Sequence, residues 1–180
     1  MSEQHIDTYP RHRREHHSLR RGERRPRRLE ELALTAWALA AGYEQTGDEA
    51  QAAAARRALD FALEHLCRPD GSFAPGPGES AVRPGGNGLM IAALARGGSV
   101  LGERKYLAAA QEARLFLKTR LTSPDGRLHG QWQERRVSGA AEQADYALCV
   151  LGLLELARAD GSRFALRQGE KLAGILAEEA

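Results

Sequence analysis

At 180 residues, with 42% hydrophobic and 28% charged side chains, the chain is long enough for one domain with a core of its own. Aromatics make up only 6% while Ala and Leu abound, which favours packed helices over a sandwich or barrel; no apolar run approaches the roughly 20 residues of a membrane span. Two cysteines, Cys67 and Cys149, provide no disulfide framework, and the net charge of +2 is divided unevenly along the chain.

Residues 1–28 hold nine Arg, four His and four acidic residues, so the remaining body is mildly acidic. This composition predicts a solvated, flexible basic arm over 1–28; bound to nucleic acid it would act by counterion release, although no aromatics interleave its arginines. It contains no apolar stretch of the secretory type, and the expected location is cytoplasmic. From residue 29 onward the pattern changes. A nearly continuous apolar helix is expected over 32–41, followed by a helix with one apolar stripe through Ala54, Ala58, Phe61 and Ala62. After the connector "RPDGSFAPGPGESAVRPGGNG" comes a second all-apolar segment, 89–95, and a second stripe through Tyr106, Ala109, Ala113, Phe116 and Leu117. A further connector, "TSPDGRLHGQWQERRVSGAAEQ", leads to a third apolar segment over 146–157. The gaps around Gly47 and Gly102 are short enough to require antiparallel hairpins, with glycine as the left-handed stop. The Pro-Asp-Gly turns predict short hairpins or irregular loops in the connectors.

These segments are copies of one unit. The shift that lays Gly42 on Gly97 also lays Gly47 on Gly102, Phe61 on Phe116, and Pro69-Asp70-Gly71 on Pro124-Asp125-Gly126. Leu34, Leu39 and Leu66 fall on Leu89, Leu94 and Leu121 in the same shift. A looser third copy, at a slightly longer interval, sets Phe164 beneath Tyr106. Units of about 29–82, 83–140 and 141–180 follow, each with an apolar inner helix backed by an amphipathic outer one. The expected fold is all-α, with αα-hairpin repeats forming part of an (α/α)6 toroid, about three hairpins of it. Three hairpins are half a ring, so apolar flanks would be exposed unless a second copy in a homodimer covered them.

The segments "NGLMIAALARGGSVLGERKYLAAAQEARLFLKTRLTSPDGRL" and "ADYALCVLGLLELARADGSRF" carry a resemblance. Over residues 87–166 the chain resembles the helical region of YyaL-type thioredoxin-domain proteins, relatives of the spermatogenesis-associated protein 20 group. The resemblance implies a six-hairpin toroid of the kind found in glycosidases and sugar epimerases, and brings no reaction with it. The pattern departs in two places. The chain contains no Cys-x-x-Cys, so thiol redox chemistry is not supported, and the tryptophan that precedes Asn-Gly-Leu-Met-Ile in the family occurs here as Trp37 in the first unit.

Few residues suggest chemistry. Asp145 and Glu142, at the start of the third inner helix, are the candidate acid–base carboxylates; the plainer role for Asp145 is a helix cap, with Tyr146 packing behind it. His129, Trp132 and Arg135 share the second connector and suit stacking against a sugar ring or holding an anion, while Trp37, Asn87 and Tyr146 are further candidate binding groups. Asn87 is equally suited to cap the second inner helix. No metal-ligand spacing, phosphate loop or cofactor motif occurs, and the paired inner-helix histidines expected of an epimerase are missing from the sequence. The expected function is a binding module for a carbohydrate-like or protein partner. A sugar-active enzyme using mouth carboxylates and a nucleic-acid adaptor acting through the arm are the alternatives.

Overall fold

A computed structural model describes residues 28–178; the basic segment 1–27, and with it the expected flexible arm, lies outside the described residues. Among the described residues, six helices run in chain order: α1 (Arg28–Thr46), α2 (Glu49–His65), α3 (Pro84–Val100), α4 (Arg104–Arg120), α5 (Gln143–Asp160) and α6 (Arg163–Glu178). Between α4 and α5 lies an antiparallel hairpin of β1 (His129–Gln133) and β2 (Arg136–Ala140), in the register Trp132↔Val137. Successive helices pair as antiparallel hairpins. α1, α3 and α5 pack side by side as the inner layer, with α2, α4 and α6 behind them.

The turn within each hairpin is closed by a glycine of positive φ, Gly47 (69°), Gly102 (69°) and Gly161 (74°), a conformation that a side chain makes costly. The repeat also extends into the connectors. Cys67 bridges to Phe73 in the first, and their repeat equivalents, Thr122 and Leu128, bridge in the second. Each bridge closes a Pro-Asp-Gly turn, so the copied punctuation marks a copied structure.

Three details differ from the sequence pattern. α3 begins at Pro84 rather than near 89, because Pro suits the first helical position, and Gly85 and Gly86 let α5 and α1 approach the helix start closely. Asn87 therefore lies within α3, not before it. The third hairpin lies one position further along than the sequence pattern suggests, because its connector is longer. Ala165 consequently takes the buried position of Tyr106, and Phe164 points outward, 68% exposed.

The core is continuous through all three hairpins, and α3 lies at its centre. From Pro84 to Ala95 every residue of α3 is buried. α1 and α5 each keep one open side. Leu34 is 55% and Leu154 42% exposed. No helix among the described residues is long and apolar enough to cross a membrane.

Candidate functional site

Because each hairpin turn is short and each connector long, α1, α3 and α5 point the same way. The starts of α3 and α5, with the connectors 66–83 and 121–142, therefore gather at one mouth. Helix starts present unpaired N–H groups and partial positive charge, so an acidic residue there is favoured in any case.

Asp145 occupies that position and is 5% exposed. One carboxylate oxygen accepts the backbone N–H of Gly85 at the start of α3 (3.1 Å), and the other accepts the N–H of Glu142 (3.1 Å). Asp145 thus ties the starts of two inner helices together. Glu142 is exposed and forms a capping box with it. A Cβ on Gly85 would run into the Asp145 carboxylate, so the glycine is required for the link.

Asn87 and Tyr146 turn out to be counterparts, each in the first turn of its inner helix. Asn87, wholly buried, accepts the Phe73 N–H (2.8 Å) and donates to the Phe73 carbonyl (3.0 Å) and the Arg83 carbonyl (3.1 Å). Tyr146, 2% exposed, accepts the N–H of Leu128 through its hydroxyl (2.9 Å). Phe73 and Leu128 are themselves equivalent. In both units the first turn of an inner helix fastens the connector residue that follows the Pro-Asp-Gly turn. Asn87 and Tyr146, expected as binding groups, are thus buried here and engaged in fastening the connectors.

The second connector is more open. Trp132 is half-buried, in an edge-to-face pair with Phe116 (6.3 Å between ring centroids) and with the Arg120 guanidinium over its ring (5.6 Å). Its backbone pairs with Val82, joining the two connectors into one rim. His129 begins β1 and is half-buried, while Arg135 stands exposed at the hairpin tip. Glu134 and Arg135 both have positive φ (49° and 63°), the two-residue turn that matches strand twist but is strained for non-glycine residues.

Away from the mouth, the inner helices share an ion-pair cluster that sequence reasoning did not find. Arg96 of α3 donates to both oxygens of Glu155 on α5 (2.7 and 3.3 Å) and to Glu44 on α1 (2.9 Å), and Arg158 joins Glu155 (3.3 Å). The Arg96 guanidinium also lies 4.9 Å from the ring of Trp37, whose indole N–H is buried without an acceptor. Burial pushes Glu155 upward, but the hydrogen bond and charge of Arg96, aided by Arg158, outweigh it and hold the carboxyl below its ordinary range. Arg96 is correspondingly raised by its Glu155 hydrogen bond. One sequence signal was available. Arg96 and Glu155 are charges inside otherwise apolar helices, and they hold equivalent positions in the last two units, as Asn87 and Tyr146 do.

The two cysteines are free and far apart in the chain. Burial, then the charge of Asp145, raise Cys149, so its thiol stays protonated and donates to the Pro84 carbonyl at the start of α3 (3.3 Å). Among the described residues, no three His, Cys, Asp or Glu side chains are grouped so as to hold a metal ion.

The sequence matches no protein-family model and no curated protein. Solved structures do match. Cellobiose 2-epimerase from Spirochaeta thermophila superimposes with a TM-score of 0.75 at 18% identity, over 82% of this chain and 42% of that one. A D-mannose isomerase gives 0.74 at 15% identity, covering 82% and 40%. A family 76 α-mannanase from Bacteroides thetaiotaomicron gives 0.69 at 17%, covering 84% and 44%. The chain thus spans less than half the length of the structures it matches. At these identities the likeness is one of fold, and the fold is part of an (α/α)6 toroid, three hairpins long.

Proposed function

We propose that this chain is a carbohydrate-directed binding module built on half of an (α/α)6 toroid, with no hydrolytic or isomerising centre of its own. The observation that carries this reading is the occupation of Asp145, whose two oxygens are spent on the backbone N–H groups of Gly85 and Glu142. Acid–base work on a sugar needs a carboxyl free to exchange its proton with the substrate. Glu142 belongs to the same capping box, and Glu155 is held ionised against Arg96. The carbohydrate side rests on the sugar-acting names of the matching folds and on the groups a sugar would meet on the rim: Trp132, His129 and Arg135. The resemblance to the helical region of YyaL-type proteins is read as partial relationship.

Asp145→Asn is the test. An amide turns one acceptor into a donor facing an N–H, so the cap reading expects a loss of about 2 kcal/mol and a melting temperature lowered by about 6 °C. Sugar binding, followed through the fluorescence of Trp37 and Trp132 with a panel of hexoses and disaccharides, should be unchanged. Turnover of any of these sugars, lost in the variant at an unaltered melting temperature, would overturn the reading. An unresponsive fluorescence throughout the panel would remove its carbohydrate part.

A further inference from the structure

Each inner helix has one side toward the hairpin before it and one toward the hairpin after it. On the forward side, equivalent positions are Ala33 and Ala40 in α1, Gly88 and Ala95 in α3, and Ala147 and Leu154 in α5. The first two pairs are fully buried, by α3 and α5 respectively, whereas Ala147 and Leu154 are exposed. On the backward side the equivalents are Gly86, Met90, Ala93 and Gly97 in α3, buried next to α1 and α2, and Glu31, Thr35, Ala38 and Gly42 in α1. That last set is exposed or half-exposed, and it lines two grooves along the α1–α2 edge. These grooves are therefore helix-docking seats whose counterparts are filled elsewhere in the same molecule.

We propose that two copies of this chain close a six-hairpin ring, the α5 edge of each seated on the α1 edge of the other. The occupant is argued from continuity. The seat on α1 repeats the seat on α3 that receives α1, and the α5 stripe repeats the α3 stripe that packs on α5. A second copy supplies both missing parts at once. The shapes also fit, since Thr35, Ala38 and Gly42 form a shallow seat of small residues, while half-buried Leu151 and exposed Leu154, which leans over Gly169 of α6, lie on the open side of α5. Head-to-tail contacts of this kind close only if the rotation per chain divides the circle, and three hairpins of a six-hairpin toroid turn through half of it. The chain's coverage of 40–42% of the matching ring proteins agrees with that fraction. The inference rests on the half-ring reading and is independent of the ligand.

Light scattering after size exclusion tests it on the full chain. The expected mass is twice 19.7 kDa. Ala38→Glu spoils only the α1 edge and Leu154→Glu only the α5 edge; both positions are exposed within the chain, so each variant should keep its helical circular dichroism and run as a monomer. Mixed in equal amounts, the two variants retain one intact seat and one intact stripe between them, so the mass should rise above that of either alone. A monomeric wild type overturns the proposal. So does a dimer broken by Ala38→Glu but indifferent to Leu154→Glu, which would mean α1 packing on α1, and so does a mixture whose mass does not rise. None of these outcomes alters the expectation for Asp145→Asn, so the two readings fall separately.

Discussion

α1 and α3 occupy equivalent places in the repeat, yet they meet different surroundings. Leu89 is 6% exposed and its counterpart Leu34 is 55% exposed; Ala93 is sealed and Ala38 is open. The difference arises because α3 has an inner helix on each side and α1 has one. Burial here follows from the neighbour rather than from the residue. A helix apolar on all sides expects two neighbours, and α1 and α5 each have half of what their sequences anticipate.

Glycine substitutions separate the two situations most sharply. Gly152 lies where α5 meets α3, and a Cβ there would run into the Gly88 carbonyl, which is backbone and cannot swing aside. Gly152→Ala should cost about 3 kcal/mol in urea unfolding. Gly42, the counterpart of buried Gly97, faces only the end of the Gln51 side chain, so Gly42→Ala should be neutral or gain up to about 1 kcal/mol from helix propensity in the monomer. Equal costs at the two sites would contradict the contrast between closed and open edges.

The ion-pair cluster fastens α1 and α5 to the centre, so breaking it comes next in size. Arg96→Leu leaves Glu155 and Glu44 with only the more exposed Arg158 between them (3.3 and 3.7 Å) and should cost about 2 kcal/mol. Because Glu155 is held below its ordinary range, its contribution is complete above about pH 4.3 and is lost as the pH falls through the lower folded value. Glu155→Gln should remove that part of the acid slope in a pH series of melts, and an unchanged slope would show that the cluster does not contribute.

A smaller effect distinguishes the outer hairpins. Tyr106 donates its hydroxyl to Asp60 across α2 and α4 (2.8 Å), whereas the third hairpin has Ala165 at that position. Tyr106→Phe should cost about 1 kcal/mol. Burial, reinforced by Asp60, raises the phenol, so the wild type should also lose stability above about pH 10 as the phenol ionises, a loss absent in the variant.

Much of this architecture was legible because it is written in local spacing. The stop glycines Gly47 and Gly102, the Pro-Asp-Gly turns and the apolar stripes each depend on a few adjacent residues, and a single shift of the sequence makes them coincide. The start of α3 was not legible, since Pro84-Gly85-Gly86 reads as loop until the partners that need those glycines, Leu29 and Asp145, are in place. The phase of the third unit failed by one position because the added length lies in the connector, whose β1–β2 hairpin does not carry the helical period. Asp145 was legible as a cap, but its bond to Gly85, 60 residues away, was not. The Arg96–Glu155–Glu44 cluster depends wholly on pairings between units.

The connector clips impose an order on synthesis. Phe73 is fastened by Asn87, 14 residues later, and Leu128 by Tyr146, 18 residues later. Each connector is thus locked by a helix that leaves the ribosome after it. At about 5–20 residues per second, each loop waits about one to four seconds for its fastener. During that wait the Phe73 segment has left the ribosome without the residue that fastens it.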